Sequence, residues 1–106
     1  MPGEQLKENQ KIISANGQYS LVQQADGNLV IYNASQEVVW ASGMNGQNVA
    51  RCVMQPNGDL VQHPGGYDLS MWSTQTRGNN GAYAQLQDDG ILVIVNTQNE
   101  VIWRSK

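Results

Sequence analysis

Gln24-Ala25-Asp26-Gly27-Asn28-Leu29-Val30-Ile31-Tyr32 sets an Asp-Gly pair beside an alternating apolar run, and the reading of that stretch decides the fold. Glycine takes positive φ without a Cβ clash, so Asp-Gly or Asn-Gly between apolar, alternating segments is a strong hairpin signal. The pattern recurs. Gln55, Asn57, Gly58, Asp59, Leu60 and Val61 repeat it 31 residues on, and Gln87, Asp89, Gly90, Leu92 and Val93 repeat it 32 residues after that. The chain is a triplicate of one hairpin-centred unit.

Folding back matters for chemistry as well as topology. A straight strand from Gln24 to Tyr32 would span about 26 Å at roughly 3.3 Å per residue, too long to bring its polar side chains to one small ligand. In a hairpin the two arms come together. Gln24, Asp26, Asn28, Val30 and Tyr32 share one alternation phase and converge on one side, while Leu29 and Ile31 face the other.

Outward from this stretch, the sequence predicts strands throughout. Leu6 to Ser14 reads as one edge strand, and Asn16-Gly17 as its turn into Tyr19-Ser20-Leu21-Val22-Gln23-Gln24. A loop at Asn33 to Glu37 precedes Val38-Val39-Trp40. The second repeat runs from Ala50 through Val61 to Trp72, and the third from Ala82 through Val95 to Trp103. Loops at Gly43 to Gly46, Pro64 to Asp68 and Arg77 to Gly81 carry the Gly, Asn and Pro that punctuate turns. No amphipathic helical period occurs, so the fold class is all-β. Trp40, Trp72 and Trp103 recur once per repeat, each followed closely by serine (Ser42, Ser73, Ser105). Because each lies in an apolar strand rather than a polar loop, they are predicted to meet in the core near a pseudo-three-fold axis.

With 106 residues, the chain reads as one domain, 1–106. Its 14% charged residues, net charge of −3 and pI near 4.8 leave no basic face for nucleic acid. No stretch approaches the roughly 20 apolar residues of a membrane helix. No secretory signal is visible, so the chain is read as a soluble protein that is cytoplasmic, exported without a leader, or seen in its mature form. Asn33-Ala34-Ser35 is a glycosylation sequon with meaning only on a secretory route. Cys52 is the single cysteine, so neither an intrachain disulfide nor a cysteine-based metal site can form, and it reads as a small buried hydrophobe. His63 has no second histidine to join in holding a metal. No nucleophile elbow or phosphate loop is present, and Asp26, Asp59, Asp88 and Asp89 sit at turns that the repeat explains. The chain is therefore read as a non-enzyme without metal or cofactor.

Gln24, Asp26, Asn28, Val30 and Tyr32 match, at all five places, the Gln-x-Asp-x-Asn-x-Val-x-Tyr signature of the bulb-type (monocot, GNA-like) mannose-binding lectin family, which the chain resembles from Leu6 to Trp103. The resemblance implies a β-prism II fold, with three four-stranded antiparallel sheets in pseudo-three-fold arrangement around a tryptophan centre. It implies binding of α-D-mannose and mannose-rich glycans, with Asp26 and Asn28 on the 2-hydroxyl, Gln24 on the 3-hydroxyl, Tyr32 on the 4-hydroxyl and Val30 against the ring carbons. It further implies a homodimer formed by exchange of the C-terminal strand, Gln98 to Lys106. Family members in plants carry a disulfide with one cysteine beside the turn, where this chain has Gly27.

The other two copies depart from the signature. In the second, Gln55 and Val61 are kept, Asn57 and Asp59 interchange donor and acceptor, and His63 replaces tyrosine, giving a degenerate site. In the third, Gln87, Asp89 and Val93 remain, but Ile91 stands in place of the donor and Val95 in place of the anchor, so mannose binding is expected to be lost. The rival reading from another class is a protein–protein interaction module on the same fold with decaying sugar sites. A β-trefoil lectin would also repeat three times, but with longer repeats.

Overall fold

The computed structural model describes residues 5–47, 49, 51–64 and 71–106. Among them the alternating pattern forms strands and no helix: β1 (Gln5–Lys7), β2 (Lys11–Ile13), β3 (Tyr19–Gln23), β4 (Leu29–Asn33), β5 (Val38–Ala41), β6 (Arg51–Met54), β7 (Leu60–His63), β8 (Trp72–Ser73), β9 (Tyr83–Leu86), β10 (Leu92–Val95) and β11 (Val101–Arg104). They assemble into three antiparallel sheets, one per repeat, ordered β2-β3-β4-β5, β1-β6-β7-β8 and β11-β10-β9. Among the described residues, two sheets have four strands and the third has three. No helix of the described residues is long and apolar enough to cross a membrane.

The expected single edge strand from Leu6 to Ser14 is instead two strands in two different sheets. β1 pairs with β6 of the second repeat and β2 with β3 of the first. The break falls at Asn9, which takes φ 67°. Asparagine tolerates this left-handed region better than most residues. The N-terminal segment thereby ties two repeats together. Residue 50 and the stretch 65–68 of the expected Pro64–Asp68 loop lie outside the described residues.

Strand pairing on the inner face follows one register in every repeat. Ile31 lies opposite Trp40, Gln62 opposite Trp72, and Ile94 opposite Trp103. Leu29, Ile31, Leu92 and Ile94 are essentially sealed from solvent, and with Leu21, Cys52, Met54, Leu60, Ala82 and Leu86 they form one apolar cluster. The three indoles pack against this cluster and meet edge to face, with ring centroids 5.7, 5.8 and 6.0 Å apart. That is the favoured geometry for aromatic quadrupoles. They close the centre as expected, although each indole remains half-buried rather than sealed.

Cys52 faces the same interior, 3% exposed. Burial pushes its thiol up to about 12, so it stays protonated and serves as a small apolar group. Two amides break the apolar pattern of the inner face: Gln62, where the other two repeats have isoleucine, and Gln23, where they have methionine and leucine, both fully buried.

Truncation of one indole removes its contacts with the other two as well as its own buried area. Trp72→Ala is expected to destabilise the fold by about 3 kcal/mol, the lower end of the usual range for aromatic truncation because an edge of the ring already meets solvent. Urea denaturation checks this.

Candidate functional site

Each repeat turns its hairpin with a three-residue loop. In the first, Gln24 N donates to Asn28 O (2.9 Å) and Gly27 N to Gln24 O (3.1 Å). The second uses Gln55–Asp59 (2.8 Å) and Gly58–Gln55 (3.0 Å), and the third Gln87–Ile91 and Gly90–Gln87 (both 3.0 Å). The loop ends on a glycine at positive φ, at 96°, 93° and 84° for Gly27, Gly58 and Gly90. This is the three-residue solution in which a left-handed residue restores strand register. Gly27 is doubly constrained, because a Cβ there would collide with the carbonyl oxygens of Gln47 and Met44.

The residue three before the strand also holds the turn. Asp26 Oδ1 accepts from Asn28 N, Asn57 Oδ1 from Asp59 N, and Asp89 Oδ1 from Ile91 N, each at 3.0 Å. These are Asx turns, which any side-chain oxygen at that position can make. A hydroxyl two residues after each tryptophan closes the hairpin from the far strand. Ser42, Thr74 and Ser105 accept from the backbone N of Leu29, Leu60 and Leu92 at 3.2, 3.2 and 2.9 Å. In the second repeat this position is Thr74, not the Ser73 that the sequence pattern singles out.

The first hairpin brings its polar groups together. Gln24 links the two arms. In the amide orientation that satisfies both ends, its nitrogen donates to Asp26 Oδ1 (3.1 Å) and Oδ2 (3.3 Å), and its oxygen accepts from the Tyr32 hydroxyl. Asn28 is held separately. Its Oδ1 accepts from Ser42 Oγ (3.3 Å), Gly43 N (2.9 Å) and Met44 N (3.1 Å). With the oxygen so fixed, the amide nitrogen is the remaining group, and nothing among the described residues accepts from it. Asp26 is exposed, and Gln24, Asn28 and Tyr32 are half-buried. The face thus offers a carboxylate, an amide donor, a bifunctional amide and a phenol within one turn. This suits a ligand with adjacent hydroxyls, each able to donate and accept. Val30 is only 2% exposed, so it supplies the floor beneath these groups rather than open surface.

The second hairpin makes the same structural bonds with interchanged residues. Asp59 Oδ1 takes the place of the Asn28 oxygen and accepts from Thr74 Oγ1 and Thr76 N, both at 3.3 Å. Gln55 Nε2 lies 3.1 Å from His63 Nε2, where Gln24 meets Tyr32. Donor and acceptor have therefore traded places. Asp59 is 8% and His63 4% exposed, so this copy is also more enclosed. In the third, Gln87 is half-buried and Asp89 exposed, but Ile91 and Val95 supply no polar group. Val61 and Val93 are each 2% exposed, like Val30. The valine is set by packing whether or not a sugar-type set surrounds it. Among the described residues, no cluster of three or more His, Cys, Asp or Glu could hold a metal ion.

Of the five residues named from the sequence, the structure brings Gln24, Asp26 and Tyr32 into contact and sets Asn28 and Val30 on the same hairpin; what fixes Asn28 was missed. The loop at Ser42, Gly43 and Met44 carries no motif of its own. Its one visible signal is the hydroxyl that follows each tryptophan.

No protein-family model matches the chain. Individual proteins do. A B-type lectin, plumieribetin, from Scorpaena plumieri is 33% identical over 104 residues, covering 96% of this chain and 88% of that protein. A mannose-specific lectin from Aloe arborescens is 36% identical over 94 residues, covering 87% and 84%. Among solved structures, monomeric monocot mannose-binding lectins from Gastrodia elata superpose with a TM-score of 0.85 at 36% identity, covering 98% of this chain and 92% of theirs. The snowdrop (Galanthus nivalis) mannose-specific agglutinin, solved with methyl-α-D-mannoside, gives 0.81 at 30% identity, covering 91% and 86%. Sheet architecture, repeat and relatives agree: the chain belongs to the bulb-type, β-prism II family of monocot mannose-binding lectins.

Proposed function

We propose that this protein binds α-D-mannose and mannose-containing glycans reversibly at the first hairpin, with no catalytic step and no metal. The observation that carries the reading is the convergence of Gln24, Asp26 and Tyr32 beside an Asn28 amide whose oxygen is already engaged. Mannose differs from glucose by its axial 2-hydroxyl, so a selective site needs an acceptor and a donor aimed at that oxygen. Asp26 and Asn28 supply them, Gln24 and Tyr32 take the 3- and 4-hydroxyls, and Val30 backs the ring carbons. The names of the Aloe and snowdrop relatives support the choice of sugar. In this reading the second hairpin (Gln55, Asn57, Asp59, Val61, His63) presents its donor and acceptor reversed. The third (Gln87, Asp89, Val93) lacks the donor. The second reading, of the whole protein, is a protein–protein interaction module on the same fold whose sugar sites are decaying, as the departures in the second and third copies suggest.

A mannose titration separates the two. Wild type is expected to bind, and Asp26→Ala to lose about 10–150-fold, since a hydrogen bond to a charged group is worth about 1.5–3 kcal/mol. If folded wild type and Asp26→Ala both fail to bind, the interaction-module reading stands instead. The double exchange Asp26→Asn with Asn28→Asp copies the second hairpin. It should keep stability within about 0.5 kcal/mol of wild type in urea denaturation yet abolish detectable mannose binding in the same titration.

Affinity for one hexose is weak, because its hydroxyls were already paired with water, so useful binding calls for linked sites. A homodimer exchanging Gln98 to Lys106 would provide two strong sites. Within one chain, β11 pairs with its own β10, and the exchange would form this same pairing between copies. A relative from Mycobacterium smegmatis is a domain-swapped lectin dimer, with a TM-score of 0.59 at 34% identity, covering all of this chain and 96% of its own. Sedimentation at micromolar concentration is expected to give a dimer; monomer alone would remove the exchange.

A further inference from the structure

Beneath the first hairpin lies a pair of amides that the pseudo-symmetry of the fold does not call for. Gln23 and Gln62 are both 0% exposed. Their counterparts in the other repeats are apolar. Gln23 lies opposite Leu29, as Met54 lies opposite Leu60 and Leu86 opposite Leu92. Gln62 occupies the place of Ile31 and Ile94, each opposite its tryptophan. Hydrophobic side chains therefore fit both positions.

Hydrogen bonding shows what the amides do there. Gln62 Nε2 donates to Gln23 Oε1 (2.8 Å) and to the carbonyl oxygen of Gly27 (3.0 Å), and Gln23 Nε2 donates to the carbonyl oxygen of Gln24 (3.3 Å). The two carbonyls lie at opposite ends of the loop that carries Asp26. Gln24 O is also the acceptor of the turn bond from Gly27 N. Gln62, from the second repeat, holds the Gly27 end directly and bonds the Gln23 amide that holds the Gln24 end, so the pair together ties both ends of the turn. Gln62 Oε1 has no partner among the described residues. Leaving such an atom unpaired in the interior costs stability, so the pair is not explained as a stabilising replacement for isoleucine.

We propose that Gln62 and Gln23 are positioning residues of the carbohydrate site. They touch no sugar; they set the spacing of Gln24, Asp26 and Asn28 by holding the Gln24 and Gly27 carbonyls from inside. The inference rests on reading the first hairpin as the mannose site. It also accounts for the placement of the pair under the one hairpin that keeps the full polar set, rather than under all three.

The test compares wild type with Gln62→Ile and Gln23→Met, which install the residues found in the sister repeats. Two readouts are needed: titration with methyl α-mannoside, and residue-resolved amide exchange by NMR. Gln62→Ile is expected to unfold at a temperature equal to or above that of wild type while binding the sugar about tenfold more weakly. Exchange should quicken at Gly27 and Asn28 and not across β3 and β4 generally. Gln23→Met should shift both in the same direction, and it decides the matter alone if Gln62→Ile does not fold. Wild-type affinity with unchanged turn exchange in a folded variant overturns the proposal, as does quickened exchange spread evenly over the sheet. If wild type itself binds no mannoside, the functional reading fails, and exchange at Gly27 and Asn28 still decides whether the pair holds the turn.

Discussion

The oxygen of one side-chain amide connects the fold to the site. Asn28 Oδ1 gathers a hydroxyl and two backbone N–H groups from Ser42 to Met44, and so fastens the hairpin to the segment that follows β5. A carboxylate oxygen does this equally well, as Asp59 does for Thr74 and Thr76. The Asx oxygen two residues earlier is just as indifferent to whether it belongs to Asp26, Asn57 or Asp89. Folding reads only the oxygen that each residue contributes. A ligand reads the other atom, and there aspartate and asparagine are opposites. The second repeat can therefore exchange its two residues without disturbing the turn and still present a different face.

This division explains what could and could not be read from the sequence. The triplicate, the hairpins, the strand class and the tryptophan centre were legible because they depend on alternation, on Gly at positive φ and on a recurring large aromatic. Convergence of Gln24, Asp26 and Tyr32 followed from their shared phase. The split of Leu6–Ser14 was not legible. Nothing in a short apolar run says that a left-handed Asn9 will send its halves to different sheets. The hydroxyl at Thr74 was missed because adjacent Ser73 fits the visible pattern as well, and only register distinguishes them. Gln23 and Gln62 read as ordinary polar strand residues; their burial depends on a contact between positions 39 residues apart.

Gly27 shows how a departure from the family pattern fits its surroundings. A cysteine there would bring a Cβ against the Gln47 and Met44 carbonyls, on a backbone whose left-handed φ already disfavours any side chain by about 1–2 kcal/mol. In this chain the loop after β5 lies where such a side chain would need to go, and Gly46 N donates to Asp26 O at 2.7 Å. The turn is secured by close backbone contact instead of a disulfide. Cys52, buried in the apolar cluster and held as a thiol, is part of the packing.

A sealed Val30 has a consequence for recognition. With 2% of its surface exposed, it would give a hexose bound at the proposed site little apolar contact, so the binding energy would have to come from polar groups. Each neutral hydrogen bond replaces one to water and nets only about 0.5–1.5 kcal/mol. Such small gains survive only if few degrees of freedom are lost when the sugar arrives. Gln24 is already bonded to both Asp26 and Tyr32, and Asn28 is already fixed by its oxygen. Both strand-end carbonyls of the turn are held from the interior. A polar face of this kind can discriminate among ligands by rigidity more than by contact area, and on the proposed reading the buried side of the hairpin would then matter to the sugar as much as the exposed one.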